Sequence, residues 1–268
     1  MTIGSDRLCI SYKSNKNIPA CLAKKNICLG NNINLLINLL KKNCQNNVYY
    51  FDFGLGRTNN YFGSEINQIK KTPTVEGPDG FTPISTEKGS LFLISGGYIW
   101  RFNSLLFPTA SVGLEYSYMP EISIRGNIYD LNDRDQPPGF IYQYNVSHTS
   151  LRLIGKMNLY CWKSFMPYVE IGVGGSWNYM NEYKEKTMEF PRMIPTTFQD
   201  SKKFAFSYSA TIGIDYRSNQ NFILSVGYRY DNFGLNETGL AIGQYKNNHL
   251  NETLNSNTLL LTGRYLFS

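Results

Sequence analysis

An all-β fold is predicted for this 268-residue chain: an eight-stranded antiparallel up-and-down barrel that crosses a membrane with its strands. Three observations predict it. Eight segments alternate strictly between two faces, the period of a β-strand. One face of each is apolar and ends in aromatic side chains, while the other is largely Gly, Ser and Thr. The connections between segments also alternate, four long and three short, as in an up-and-down barrel whose two ends differ.

The clearest segment is Phe204–Tyr216. Phe204, Phe206, Tyr208, Ala210, Ile212, Ile214 and Tyr216 share one face, opposite Ala205, Ser207, Ser209, Thr211, Gly213 and Asp215. At ~3.3 Å per residue it is about 43 Å long, and tilted by ~40–45° it covers roughly the 30 Å of a hydrocarbon core. In chain order, the first segment is Tyr49–Leu55, with Tyr49, Phe51, Phe53 and Leu55 together. Phe92–Phe102 follows, with Phe92, Ile94, Gly96, Tyr98, Trp100 and Phe102. Ala110–Tyr118 sets Val112, Leu114, Tyr116 and Tyr118 against Ser111, Gly113, Glu115 and Ser117. Leu151–Leu159 sets Leu151, Leu153 and Met157 against Arg152, Ile154 and Lys156. Val169–Tyr179 presents Val169, Ile171, Val173, Trp177 and Tyr179. After Phe204–Tyr216, Phe222–Tyr230 sets Phe222, Leu224, Val226, Tyr228 and Tyr230 against Ser225, Gly227 and Arg229. Leu259–Phe267 ends the series. The long connections are expected to span about 25–35 residues and hold turn formers such as Gly77–Gly80 and Asp133–Gly139. The short ones are Asn103–Pro108, Cys161–Met166 and Arg217–Asn221.

The chain divides at residue 48. Residues 1–47 carry seven Lys and Arg and one acid, Asp6, and the remainder holds 19 of each sign, so the net charge of +6 belongs to the N-terminal segment. A neutral body gives nucleic acid no concentrated basic surface to bind. Four of the five cysteines (Cys9, Cys21, Cys28, Cys44) lie in that segment at spacings that match no metal-ligand motif, and no His is near. No metal and no cofactor is therefore expected. The stretch Ile33–Leu40 follows Lys24 and Lys25 in the order of an export signal, but Asn34 and Asn38 interrupt it and no small-residue cleavage site follows. Three readings stay open: a degenerate leader, a disordered extension, or a misassigned start. No run of eighteen apolar residues exists, so no transmembrane helix is expected.

A soluble eight-stranded barrel would turn the apolar face inward. Against it, the polar face lacks the ~25–35% of charged residues usual at a soluble surface. The aromatics also fall at two levels. Tyr116, Tyr118, Trp177, Tyr179, Phe204, Phe206, Tyr228 and Tyr230 mark the long-loop end, and Trp100, Phe102, Tyr216 and Tyr265 the short-turn end. Amphipathic rings at two levels make an interfacial girdle. Closing the sheet also pairs every edge, which hydrocarbon demands.

On this architecture, residues 48–268 resemble the small eight-stranded outer-membrane barrels of Gram-negative bacteria, the group that includes the OmpA membrane domain, OmpW and the opacity-type adhesins. The final stretch, with Leu261, Gly263, Tyr265 and Phe267 on one face, resembles that group's terminal signal, although Ser268 follows the last aromatic. The resemblance implies an outer-membrane location, contact with outer-membrane lipid and lipopolysaccharide, and recognition by the barrel-assembly machinery. A peptidoglycan-binding domain of the OmpA kind, and cell-wall anchoring through one, are not expected.

With the apolar face outward, the lumen receives Asp52, Arg101, Glu115, Arg152, Lys156, Glu170, Asp215, Arg229 and Arg264. An eight-stranded barrel has room for little beyond its own side chains, so these charges are expected to pair as a plug. Strand register favours Glu115 with Arg152 and Lys156 with Glu170, and Asp52 with Arg101 or Arg264. The functional expectation is a non-enzymatic surface scaffold with adhesin-like loops that meet a host-surface ligand. A narrow porin-like channel for small or hydrophobic solutes is the alternative. A lipid A hydrolase is a remote one: His148 and Ser150 resemble the His-x-Ser pair of outer-membrane deacylases, but their parity turns them to the lumen, away from lipid.

Overall fold

The computed structural model describes residues 9–10, 27–28, 48–62, 67–70, 78–83, 87–102, 104–129, 138–187, 197–242 and 248–267. The N-terminal region predicted over residues 1–47 lies outside these, apart from an antiparallel pairing of Cys9–Ile10 with Ile27–Cys28. Eight long strands form the body: β1 (Val48–Phe62), β2 (Glu87–Arg101), β3 (Thr109–Tyr129), β4 (Phe140–Asn158), β5 (Phe165–Thr187), β6 (Ser201–Arg217), β7 (Phe222–Glu237) and β8 (Asn251–Phe267).

Each strand pairs antiparallel with its sequence neighbours, and β8 pairs with β1. The ring is closed. Its stagger follows from the register. Stepping across partners from Thr58 through Thr258, Arg229, Thr211, Glu170, Lys156, Ser111 and Ile99 returns to β1 at Val48, ten residues below the start. Eight strands with that stagger tilt by about 40°, so each residue climbs ~2.5 Å along the barrel axis. The exposed apolar rows, from Tyr49 and Phe267 up to Leu55, Phe92 and Leu259, then form a band that rises about 20 Å along the axis, and the outward row of β6 from Tyr216 to Phe204 rises about 30 Å, the range of a bilayer's hydrocarbon core.

The strands are longer than the sequence pattern suggested, and the long connections correspondingly shorter, because the ladder continues above that band. There the two faces exchange chemistry. Below, apolar residues face out. Above, Phe81, Met119, Ile122, Ile124, Tyr142, Tyr144, Tyr183, Phe198 and Leu254 face in and bury one another. Water replaces lipid outside, so the extension folds as a soluble barrel does.

Three irregularities carry the change. On β3 the register slips between Met119 and Ile122, so the inward set moves from odd to even residues. On β5 Glu182 adopts φ 55°, and the inward set moves from even residues, ending at Met180, to odd ones, beginning at Tyr183. On β7 Gly234, at φ 76°, separates inward Phe233 from inward Asn236. Each is a bulge that re-aims the following side chains. Without the first, Ile122 and Ile124 would face water.

Above the band, two short pieces complete the mouth. Pro78–Pro83 pairs with β3 and carries Asn67–Lys70 outside it, and Thr197–Phe198 pairs with Ala241–Ile242.

Candidate functional site: a sealed lumen in three layers

The interior has an apolar floor, an ionic middle and an aromatic roof. Val48, Tyr50, Ile99, Cys161, Met166, Ile223 and Leu266 close the short-turn end. The roof is the apolar core of the extension.

The middle layer is built from inward positions on seven strands. Arg229 on β7 donates through both terminal nitrogens to Glu115 on β3, each at 2.6 Å, and its Nε donates to Asp231 at 2.9 Å. Arg152 on β4 reaches the same Asp231 at 2.5 Å and lies 3.7 Å from Glu115. Two arginines and two carboxylates thus form one square. Arg264 on β8 makes a two-pronged contact with Asp52 on β1, both at 2.7 Å, and Ser95 adds a third donor. Lys156 donates to Asp215 at 2.8 Å, with Asn158 and Ser225 on the same carboxylate. Two-pronged guanidinium–carboxylate contacts combine strength with fixed geometry. Buried charges are tolerable only when paired this closely.

Glycines set the space. Tyr168 lies over Gly213 and Gly227, where a Cβ would come within 2.7 and 2.5 Å of it, and Tyr50 lies over Gly113. The rings then face the cations: Lys156 Nζ is 3.7 Å from the Tyr168 centroid, and the Arg264 guanidinium carbon is 4.0 Å from that of Tyr50. The void left among Asp52, Glu115, Lys156, Glu170 and Arg264 measures about 10 Å³, room for roughly one water.

The predicted lumen residues are mostly gathered here, but not every partner is the predicted one. Glu115 is gripped by Arg229 and only approached by Arg152. Lys156 takes Asp215 and not Glu170, which lines the void and accepts a hydrogen bond from Thr211 at 3.5 Å. Asp52 meets Arg264, while Arg101 sits at the short-turn rim opposite Thr109. Adjacent-strand register gave Asp52 with Arg264 and Glu115 beside Arg152, but it missed the closest partners of Glu115, Lys156 and Arg152, because long side chains reach across a narrow lumen. Arg152 and Asp231, on β4 and β7, are not neighbours in the ring.

Asp231 was missed. It shares parity with Arg229, and only the assumption that the strand ended at Tyr230 hid it. Glu252 was missed too. Buried under the roof, it accepts hydrogen bonds from Tyr142 at 3.5 Å and from Tyr144. It lies above the membrane band, and burial pushes its carboxyl up to about 7, against the opposing effect of the two tyrosine hydroxyls.

Outside, Tyr116, Tyr118, Trp177, Tyr179, Phe204, Phe206, Tyr216, Tyr228 and Tyr265 are exposed in the girdle rows. Trp100, Phe102 and Tyr230 are half-buried. Leu261, Gly263, Tyr265 and Phe267 line the outward side of β8 against Leu55, Phe53, Phe51 and Tyr49, where the ring closes. His148 and Ser150 face the lumen and are buried. The imidazole Nδ1 is 2.6 Å from Asn178 Oδ1, and the Ser150 hydroxyl is 2.6 Å from that of Ser117.

No protein-family model matches the sequence, and no curated protein does. Solved barrels do. Neisserial surface protein A is 14% identical, with 82% of this chain and 97% of that one covered and a TM-score of 0.40. OprG from Pseudomonas aeruginosa is 12% identical over 84% and 98%, at 0.46. The attachment invasion locus protein of Yersinia pestis is 11% identical over 83% and 100%, at 0.35. The assignment as an outer-membrane-type barrel rests on the closed ring, the lipid-facing band and the asymmetric ends described above.

Proposed function

We propose that this integral outer-membrane barrel is a non-enzymatic surface scaffold that holds adhesin-like loops toward a host-surface ligand. The observation that carries the reading is the packed lumen: among the described residues, the void between its charges measures about 10 Å³, room for roughly one water. What remains for contact is the outer end. Strands β3, β4 and β5 run 19–23 residues and continue past the band, so their outer ends stand clear of the lipid on a packed base. Binding surfaces are usually loops on such rigid supports. His148 and Ser150 support the non-enzymatic reading, because each is engaged with a neighbour inside the wall and lipid touches the opposite face. The outward row of β8 is the segment offered to the assembly machinery.

Cells displaying the protein, compared with cells displaying a variant in which residues 188–196 and 243–247 are replaced by short Gly-Ser links, test the proposal. Both proteins should keep the gel shift of a folded, unboiled barrel, and only the first should confer attachment to host cells. Equal attachment would sink the adhesin reading. Mass spectrometry of lipid A from expressing and non-expressing cells tests the absence of hydrolase activity; a change in acylation would overturn it.

A further inference from the structure

The exposed apolar rows start at one height but do not end at one. Three partner steps lead from Tyr216 through Leu224 and Gly263 to Phe53. Each step climbs about 3 Å in a ring with this stagger, so Tyr216 starts level with Tyr49 at the short-turn end. On β1, β8 and β4 the outward face turns polar at Arg57, Asn257 and Thr149, roughly 20–25 Å above that start. On β6 it stays apolar through Phe206 to Phe204, about 30 Å up.

The neighbouring strands widen this tall side into a patch. Trp177, the partner of Phe204, and Tyr179, the partner of Lys202, bring β5 to the same height. The Trp177 and Phe204 rings lie 5.4 Å apart. Exposed Leu235 flanks them on β7, directly after Gly234, which packs on the Phe206 carbonyl. Phe204 and Phe206 are 63% and 66% exposed, so nothing in the chain itself covers the centre of the patch.

A flat bilayer whose headgroups meet Arg57 and Asn257 leaves this patch above its hydrocarbon. Below that level, lipid chains are as apolar as the wall, and the lower rows gain little by leaving them. Above it, the patch faces headgroups and water, and burying it is favourable. Side chains of this size expose roughly 500 Å² together, or about 1,000 Å² in a pair of patches, the lower bound for a specific interface.

We infer that the patch on β5, β6 and β7 is a dimer interface whose occupant is a second copy of this chain. The membrane favours that occupant. Two copies insert the same way up and are held at one height by their girdles, so a twofold axis along the membrane normal sets each patch against itself. Charge agrees with that axis. Lys202 on β6 and Glu182 on β5 are both exposed above the patch, on opposite sides of it and within roughly 5 Å in height. The twofold axis brings Lys202 of one copy to Glu182 of the other, and the reverse. The existing contact of Glu182 with Lys184, at 3.4 Å, is solvent-exposed and weakly held, so it does not compete strongly. The inference needs the membrane placement alone and stands whether or not the loops bind a host ligand.

The test is single-molecule photobleaching of the full chain, labelled on its N-terminal amine and refolded into vesicles of short-chain phosphatidylcholine. All variants are scored as barrels that keep the gel shift of the folded, unboiled form. As the protein-to-lipid ratio rises, the wild type should give two-step traces and no higher ones. F204S/F206S should raise the density needed for half pairing about tenfold or more. F92S/Y118S, at the top of the apolar rows on the far wall, should leave that density unchanged. K202E and E182K should each weaken pairing, and K202E/E182K together should restore it. If F204S/F206S loses the gel shift, F206S alone should give an intermediate density. In long-chain phosphatidylcholine, whose hydrocarbon reaches the patch, wild-type pairing should fall. Single-step traces at every density, traces of three or more steps, an equal loss in F92S/Y118S, or pairing unchanged in the long-chain lipid would each overturn the dimer. Pairing that needs Phe204 and Phe206 but is not restored by K202E/E182K would overturn the twofold arrangement.

Discussion

At the scale of single residues, the ionic square makes the sharpest energetic statement. Arg229 is fully buried and holds both Glu115 and Asp231. Removing one partner of a buried charge set strands the rest, so R229A should cost about 3–5 kcal/mol. Replacing a buried pair by apolar groups of similar size is often neutral, so E115L/R229M should recover most of that loss. Urea midpoints for refolding into lipid vesicles measure both. Glu252 gives a pH dependence. Its carboxyl titrates near 4.5 when unfolded and near 7 when buried, so the folded extension prefers the protonated form. The stability from this preference is complete below about 4.5, declines as pH rises, and is gone above about 7, a change of ~3 kcal/mol. Protection factors in the roof, corrected for the intrinsic pH dependence of amide exchange, should therefore fall from pH 5 toward about pH 8 in the wild type and stay flat in E252Q. H249Q, three residues away, should keep the wild-type profile. The charges themselves were legible in the sequence, because parity assigns each to a face. Register also set Asp52 opposite Arg264, but the Arg152–Asp231 and Lys156–Asp215 pairings were not legible, because a narrow lumen lets long side chains bypass the adjacent strand.

At the scale of elements, the bulges decide where membrane barrel ends and water-facing barrel begins. Gly234 holds φ 76°, and an added Cβ would come 2.5 Å from the Phe206 carbonyl oxygen. G234A should cost at least ~1–2 kcal/mol from the backbone alone, and the loss should localise above the band. Limited proteolysis should then release the outer extension while a trimmed barrel persists on gels. Deletion of Glu121 tests the same idea on β3: without the extra residue, regular alternation from Met119 carries Ile122 and Ile124 inward, so the roof should keep its packing. The sequence showed all eight strands but stopped most of them at the membrane edge. Tyr142, Tyr144 and Val146 alternate as regularly as Leu151 and Leu153, but they point the other way in chemistry, and a bilayer pattern passes over them. Bulges leave little trace beyond a Pro-Glu or an Asn-Phe-Gly.

At the scale of the whole molecule, the chain is one closed wall around three stacked seals. An apolar floor and roof of this kind oppose ion entry by dehydration, and among the described residues the void in the paired middle layer measures about 10 Å³. Shear and strand number set this outcome, because eight strands enclose only side-chain volume. The sealed interior is the central claim, and single-channel recording in planar bilayers tests it most directly. Folded, heat-modifiable protein should add no steady conductance across the physiological voltage range. A reproducible, voltage-stable conductance in the wild type, lost on boiling, would contradict the account and make the barrel a channel.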